Sequence, residues 1–189
     1  MTLVLASASP RRRDLLARLG VTPGRVAAPD IDETPIKGEL PRVYVTRIAE
    51  AKARAVERGA GDVILAGDTT IALGRRILGK AEDDATVRTM LAALSGRRHH
   101  CLTAVSVVDA TGKLRTKLSD TIVAFKPLSP TEIDAYVACE EGLGKAGGYA
   151  IQGRAEAFVR FLSGSHSGVI GLPLFETRAL LLAAGMPLG

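Results

Sequence analysis

Apolar runs of strand length alternate along this chain with segments whose apolar residues return every three or four positions. A buried strand is apolar along its length and a surface helix along one stripe only. The alternation therefore restricts the chain to strands and helices packed in layers, the α/β class. Residues 3–6 read as a short buried strand. Ser9-Pro10 then supplies a helix N-cap and first helical residue, and that helix runs through Leu15, Leu16 and Leu19 to a stop at Gly20. Residues 29–41, rich in Pro, Asp and Glu, read as a loop, followed by a long helix over about 41–58 ended by Gly59. Residues 63–66 form a second buried strand that closes on Gly67-Asp68. Residues 71–73 and 76–78 flank a Gly74-Arg75 turn as a hairpin, and 84–94 is helical up to Ser95-Gly96.

The two longest strand-like runs, 100–109 and 114–125, are joined by Ala110-Thr111-Gly112-Lys113, and their length predicts an antiparallel pair inside a mixed sheet. Ser129-Pro130-Thr131-Glu132 is a capping box that starts a helix to about Cys139. A glycine-rich loop over 142–153, a strand over 157–162 and a helix over 173–184 complete the pattern. No repeat, low-complexity tract or linker divides the chain, so a single domain over residues 1–189 is expected.

At 189 residues and 47% apolar, the chain can bury a core without metals or disulfides. Cys101 and Cys139 lack ligand spacing and read as two reduced thiols of an intracellular protein. No run approaches the ~18 apolar residues of a membrane span. The first residues have no basic start before their apolar stretch, so they read as a strand rather than a signal peptide, and a cytoplasmic location is expected. A net charge of +5 favours anionic partners, whether nucleotides, nucleic acid or acidic proteins, without choosing among them.

Five constellations could carry chemistry. Ser7-Ala8-Ser9-Pro10-Arg11-Arg12-Arg13 lies between a strand and a helix N-terminus, where backbone N–H groups, two hydroxyls and a guanidinium could hold an anion. It is not a Walker loop, since GxxxxGK[ST] is absent, and a capped helix with solvated arginines reads equally well. Lys52 shares a helical stripe with Val45, Ile48, Ala49 and Val56, so its ammonium either snorkels to water or meets an anion. Asp68 follows a buried strand, in the crevice position where open α/β sheets bind ligands. It could coordinate a hard cation, orient a water or simply cap the next turn. Gly79-Lys80 puts a cation on a loop that can approach a ligand closely. Residues 145–153, Lys-Ala-Gly-Gly-Tyr-Ala-Ile-Gln-Gly, could pack on a base and read its edge, or form a structural glycine turn. His99, His100 and His166 have no zinc-like spacing and read as strand and loop residues. No serine or cysteine triad is present.

Taken in order, Leu5-Ala6-Ser7-Ala8-Ser9-Pro10-Arg11-Arg12, Ala66-Gly67-Asp68-Thr69, the loop 145–153 and Gly171-Leu172-Pro173-Leu174 resemble the Maf family over nearly the whole chain. The family comprises nucleotide pyrophosphatases once called septum formation inhibitors. The resemblance implies a mixed twisted sheet with flanking helices in two lobes around a deep cleft, similar to the inosine triphosphate pyrophosphatase (Maf/Ham1-like) architecture. It also implies a divalent metal cation, Mg²⁺ or Mn²⁺, and a homodimer. Carried over, it makes Asp68 the proton acceptor and Glu33 a second important acid, the two being the metal ligands. Ser7, Arg11, Arg12, Lys52 and Lys80 match phosphate-contacting positions, Ser9 belongs to the same substrate loop, and Arg11, Thr69 and Gln152 match positions that set base preference.

Thr69 after the acid and Ile151-Gln152-Gly153 in the late loop resemble the branch acting on dTTP and UTP rather than the one acting on methylated guanine nucleotides. Ala81 and Ala150 depart from the proline and glycine usual at those positions. Hydrolysis of a nucleoside triphosphate to monophosphate and pyrophosphate is expected, with no stable nucleic-acid partner and no membrane. The alternatives are the same chemistry on 7-methyl-GTP or other modified nucleotides, a non-enzymatic cell-division regulator, and a basic nucleic-acid-binding protein. Against the last stand an aromatic content of 4% and the absence of any recognised nucleic-acid motif.

Overall fold

The computed structural model describes residues 1–188. In chain order its elements are β1 (Thr2–Ala6), α1 (Pro10–Ala17), β2 (Arg25–Val26), α2 (Pro41–Ala55), β3 (Asp62–Leu73), β4 (Arg76–Leu78), α3 (Asp84–Leu94), β5 (Arg98–Val108), β6 (Leu114–Phe125) and α4 (Pro130–Val137). A 3-10 turn (Arg154–Phe158), β7 (Val159–Ser163), α5 (His166–Ile170) and α6 (Leu174–Ala183) follow. The strands form one mixed sheet in the order β2-β1-β3-β5-β6-β7, with β4 pairing to β3. β1 is parallel to β2 and to the first half of β3, and the remaining pairs are antiparallel. The α/β class, the hairpin and the long antiparallel pair stand as the sequence reads them. No described helix is long and apolar enough to cross a membrane.

Two layers cover the sheet. α2 lies on one face, its stripe of Tyr44, Val45, Ile48, Ala49 and Ala53 packed on residues such as Ala72, Ala104 and Ile64. The main core occupies the other face under α1, α3, α4 and α6. α4 has the expected capping box, with Ser129 and Glu132 each accepting from the other's backbone N–H. Several boundaries differ from expectation. α1 stops at Ala17, α2 stops at Ala55 where Val56 turns extended, and β7 starts only at Val159 because a 3-10 turn occupies its expected first residues. Two elements are new. β2 is two residues held by register with β1, and α5 is a five-residue helix where a loop is expected around His166.

A cluster of aromatic rings ties the late loop to the sheet. His99, Phe125 and Tyr149 meet edge to face at centroid distances of 4.9–5.5 Å, and Phe158 bridges from Phe125 to Tyr136. His99 Nε2 lies 2.9 Å from the Tyr149 hydroxyl, and the Tyr136 hydroxyl accepts from the Ala150 N–H at 3.0 Å. Burial pulls the His99 pKa down to about 4. The folded state therefore keeps His99 neutral, whereas the unfolded chain takes a proton near the usual value of about 6.5. Its contribution to stability is fully present above that unfolded value and is lost as pH falls towards 4. In urea titrations, wild type should lose on the order of 2–3 kcal/mol more than His99→Phe between pH 7 and pH 4. Parallel stability curves for the two proteins would refute the assignment.

Candidate active site

A cleft of about 260 Å³ opens beyond the carboxyl end of β1. On that edge β3 is unpaired over residues 67–70, between the end of its pairing with β1 at Ala6↔Ala66 and the start of its pairing with β4 at Ile71↔Leu78. Sequence reading ends this strand at Ala66 and puts Asp68 after it; instead β3 continues to Leu73, held on its other edge by β5 from Ile64 to Ala72. Asp68 is thus a buried residue inside a strand, which excludes the turn-capping role. Gly67 is no terminator either. It continues the strand, paired with Val105 of β5, and a Cβ there would lie in van der Waals contact, 3.4 Å from Arg12 Nε and 3.4 Å from the Ala104 carbonyl.

The floor of the cleft is an ion triad. Lys52 comes from α2, where the apolar stripe carries it inward until its side chain is only 9% exposed. Its Nζ donates to Asp68 Oδ1 at 2.7 Å and meets Glu33 Oε1 at 2.9 Å. Of the two possibilities for this lysine, the anion is the one realised. Glu33 arrives on the loop before α2, whose path is fixed by the Tyr44 hydroxyl donating to the Glu33 carbonyl at 3.0 Å. Lys80 Nζ lies 3.7 Å from Glu33 Oε2, with its own side chain largely exposed.

The two carboxylates are pushed apart in acidity. Burial raises Asp68, and the charge and hydrogen bond of Lys52, with Arg12 behind, recover only part of that, so its carboxyl stays above the usual range. Burial also acts upward on half-exposed Glu33, but Lys52, Lys80 and Arg12 together outweigh it and hold the group below its usual value.

The β1–α1 loop forms one wall. Ser7 is buried, and its hydroxyl accepts from the Ser9 N–H at 3.2 Å and from Arg12 Nη1 at 2.9 Å. Ser9 occupies the N-cap position with Pro10 after it, yet its side chain makes no capping bond, contrary to the sequence reading. Arg12 is pinned a second time, Nε donating to the Gly171 carbonyl at 2.8 Å. Arg11 has no hydrogen-bond partner among the described residues, and half-burial lowers its pKa.

The opposite wall is the loop after α4. An isolated bridge joins Lys80 to Ala146, and the Gly147 N–H donates to the Leu78 and Gly79 carbonyls. The Ala81 N–H donates to the Lys145 carbonyl at 3.1 Å. A proline at 81 has no such hydrogen to give, so alanine here trades ring rigidity for a cross-loop bond. Gly147, at φ 69, is the position where a Cβ would fall 2.7 Å from the Ile71 side chain.

All ten residues singled out from sequence line this one cleft: Ser7, Ser9, Arg11, Arg12, Glu33, Lys52, Asp68, Thr69, Lys80 and Gln152. Lys145, to which sequence reasoning gave no role beyond its loop, also lines it. Its Nζ donates to the Leu143 carbonyl, and burial lowers its pKa. Five cations therefore face two carboxylates, a surplus of three positive charges, which suits a polyanionic ligand. No trio of His, Cys, Asp and Glu side chains that could enclose a metal occurs among the described residues.

Residues 2–184 match the family described as Maf-like protein. A dTTP/UTP pyrophosphatase of Sphingopyxis alaskensis is 69% identical over 187 residues, spanning 99% of this chain and 98% of the relative. One of Novosphingobium aromaticivorans is 62% identical over 185 residues, spanning 97% and 92%. A solved HAM1 protein from Coxiella burnetii has a TM-score of 0.53 at 19% identity, covering 96% of this chain and 98% of that one, a likeness of fold alone. With the family match running over residues 2–184 and such relatives aligned end to end, this chain belongs to the Maf family.

Proposed function

We propose that the protein hydrolyses dTTP and UTP to the nucleoside monophosphate and pyrophosphate. The observation that carries this reading is the buried Lys52, gripped by Asp68 and Glu33 at the floor of a cleft whose walls carry Arg11, Arg12, Lys80 and Lys145. A triphosphate entering there meets charge-assisted donors along its length. Asp68 Oδ1 is taken by Lys52, which leaves Oδ2 to accept a proton from water. Burial makes this carboxylate more basic than usual while the charge and hydrogen bond of Lys52 favour its ionised form, the combination a general base needs. The water oxygen bonds to the α-phosphorus as the bond to the α–β bridging oxygen breaks, and pyrophosphate carries away the electron pair. The relatives' names, dTTP/UTP pyrophosphatase, support the choice of dTTP and UTP.

Glu33 and Asp68 give two hard oxygen donors at the cleft floor, and a Mg²⁺ or Mn²⁺ ion typically takes one or two carboxylates and completes its shell with phosphate oxygens and water. The residues fit such an ion, with Glu33 and Asp68 as its holders. It would neutralise charge on the phosphoryl oxygens as they rearrange.

Asp68→Asn should lower kcat for UTP by about 10²- to 10⁴-fold, while Lys52 keeps Glu33 as a partner and the fold survives. Product analysis on dTTP, UTP, CTP, GTP and 7-methyl-GTP tests the reading as a whole. Release of single phosphates, turnover confined to 7-methyl-GTP, or near-normal activity of the variant would each overturn it. Lys145→Met should raise KM for UTP by about three- to tenfold with kcat within about twofold, as expected for an interaction made equally in ground and transition states. Steady-state kinetics checks this, and a fall in kcat alone would contradict it. Chelation should abolish turnover, and Glu33→Gln should raise the Mg²⁺ concentration for half-maximal rate. An unchanged Mg²⁺ dependence in that variant would remove Glu33 as a metal holder.

A further inference from the structure

Thr69 and Thr103 are register partners on β3 and β5, and their hydroxyl oxygens lie 3.0 Å apart. Distance alone leaves the direction of that hydrogen bond open, but a second contact settles it. Thr103 is fully buried, and its Oγ1 lies 2.8 Å from the carbonyl oxygen of Gly168. A carbonyl can only accept, and a threonine hydroxyl has one hydrogen, so the hydrogen of Thr103 is committed to Gly168. The N–H groups of Gly171 and Leu172 both go to the Ser167 carbonyl, so they do not satisfy Gly168. Gly168 is itself held in place, its N–H donating to Ser165 Oγ at 2.9 Å. Turning Thr103 round would therefore strand a buried carbonyl.

Thr69 must consequently donate to Thr103. Its only hydrogen points away from any ligand, and the lone pairs it has left on the cleft wall can only accept. Gln152 also lines the cleft, but its amide can turn over and offers either polarity. Thr69 is the reader whose polarity is locked.

We propose that Thr103, outside the cleft, is a positioning residue for base specificity: through Thr69 it makes the cleft wall an acceptor, favouring a base that presents a ring N–H. This rests on the proposed hydrolysis of dTTP and UTP. Uracil and thymine present N3–H as a donor, whereas N3 of cytosine is a lone pair that would face the lone pairs of Thr69. A site built to pair with one polarity rejects the other far more strongly than a shape difference would.

The test is the ratio of kcat/KM for UTP to that for CTP, measured with Mg²⁺ on the full chain and on Thr103→Val, Thr103→Ser and Thr69→Val. Wild type should favour UTP. Thr103→Val frees the Thr69 hydrogen to donate to cytosine N3, so the ratio should fall at least about tenfold. Thr103→Ser keeps the hydroxyl and should restore the ratio to within about twofold. A merely structural role for Thr103 would depress both nucleotides together and leave the ratio unchanged; that result in a cooperatively melting Thr103→Val protein overturns the proposal. If that variant does not fold, Thr69→Val decides, since removing the acceptor must also collapse the ratio, and an unchanged ratio there overturns it equally. Wild type turning over neither UTP nor CTP would instead sink the functional reading on which the relay rests.

Discussion

Lys52 stands where a helix would ordinarily bury a leucine, and its ammonium reaches the floor of the cleft through a layer of apolar side chains. A charge so withdrawn from water is tolerable only with opposite charge in hydrogen-bond contact. Asp68 from the middle of β3 and Glu33 from the loop before α2 meet that condition together. Their convergence requires α2 to lie close on the sheet, and small residues at the contact allow it: Ala49 and Ala53 on the helix, Ala66, Ala72 and Ala104 on the strands. Bulkier residues there would lift the helix and pull the ammonium off its partners. Helix placement and site chemistry are therefore one constraint.

The far wall is made rigid by different means. Tyr136 and Tyr149 are buried rings whose hydroxyls are each used, one by the Ala150 N–H and the other by His99. They hold a turn-rich segment that has little regular structure of its own. Backbone bonds from 144–147 to 78–81 join this segment to the hairpin that carries Lys80. Both walls are thus preorganised to receive charge, which spares reorganisation when a polyanion arrives.

Much of this was legible in the residues because periodicity reports burial. The α2 stripe marked Lys52 as an anomaly, and the buried run before Asp68 marked the acid as unusual. What periodicity could not show is partnership. Glu33 sits in a loop with no pattern, and only the resemblance pointed to it. Thr103 lies in a strand buried on both faces, where its hydroxyl leaves no trace in the alternation. Its importance depends on a carbonyl 65 residues later. β2 and α5 escaped for a related reason: each is too short to have a period and exists because neighbouring elements hold it. The strand end expected at Ala66 failed because Gly67 reads as punctuation, while in the fold it is an ordinary ladder position paired with Val105.

The contact between Arg12 and the Gly171 carbonyl spans 159 positions of sequence. During synthesis from the N-terminus, Arg12, Ser7 and Lys52 leave the ribosome long before the carbonyl that fixes the arginine exists. Until α5 has formed, Arg12 lacks one of its two anchors, Thr103 lacks its carbonyl acceptor on Gly168, and the wall that Gly171 completes is open. A partly made chain can therefore display the cationic residues but not the finished receptor. Competence for binding arrives late and nearly all at once, as a property of the whole length of chain rather than of its first half.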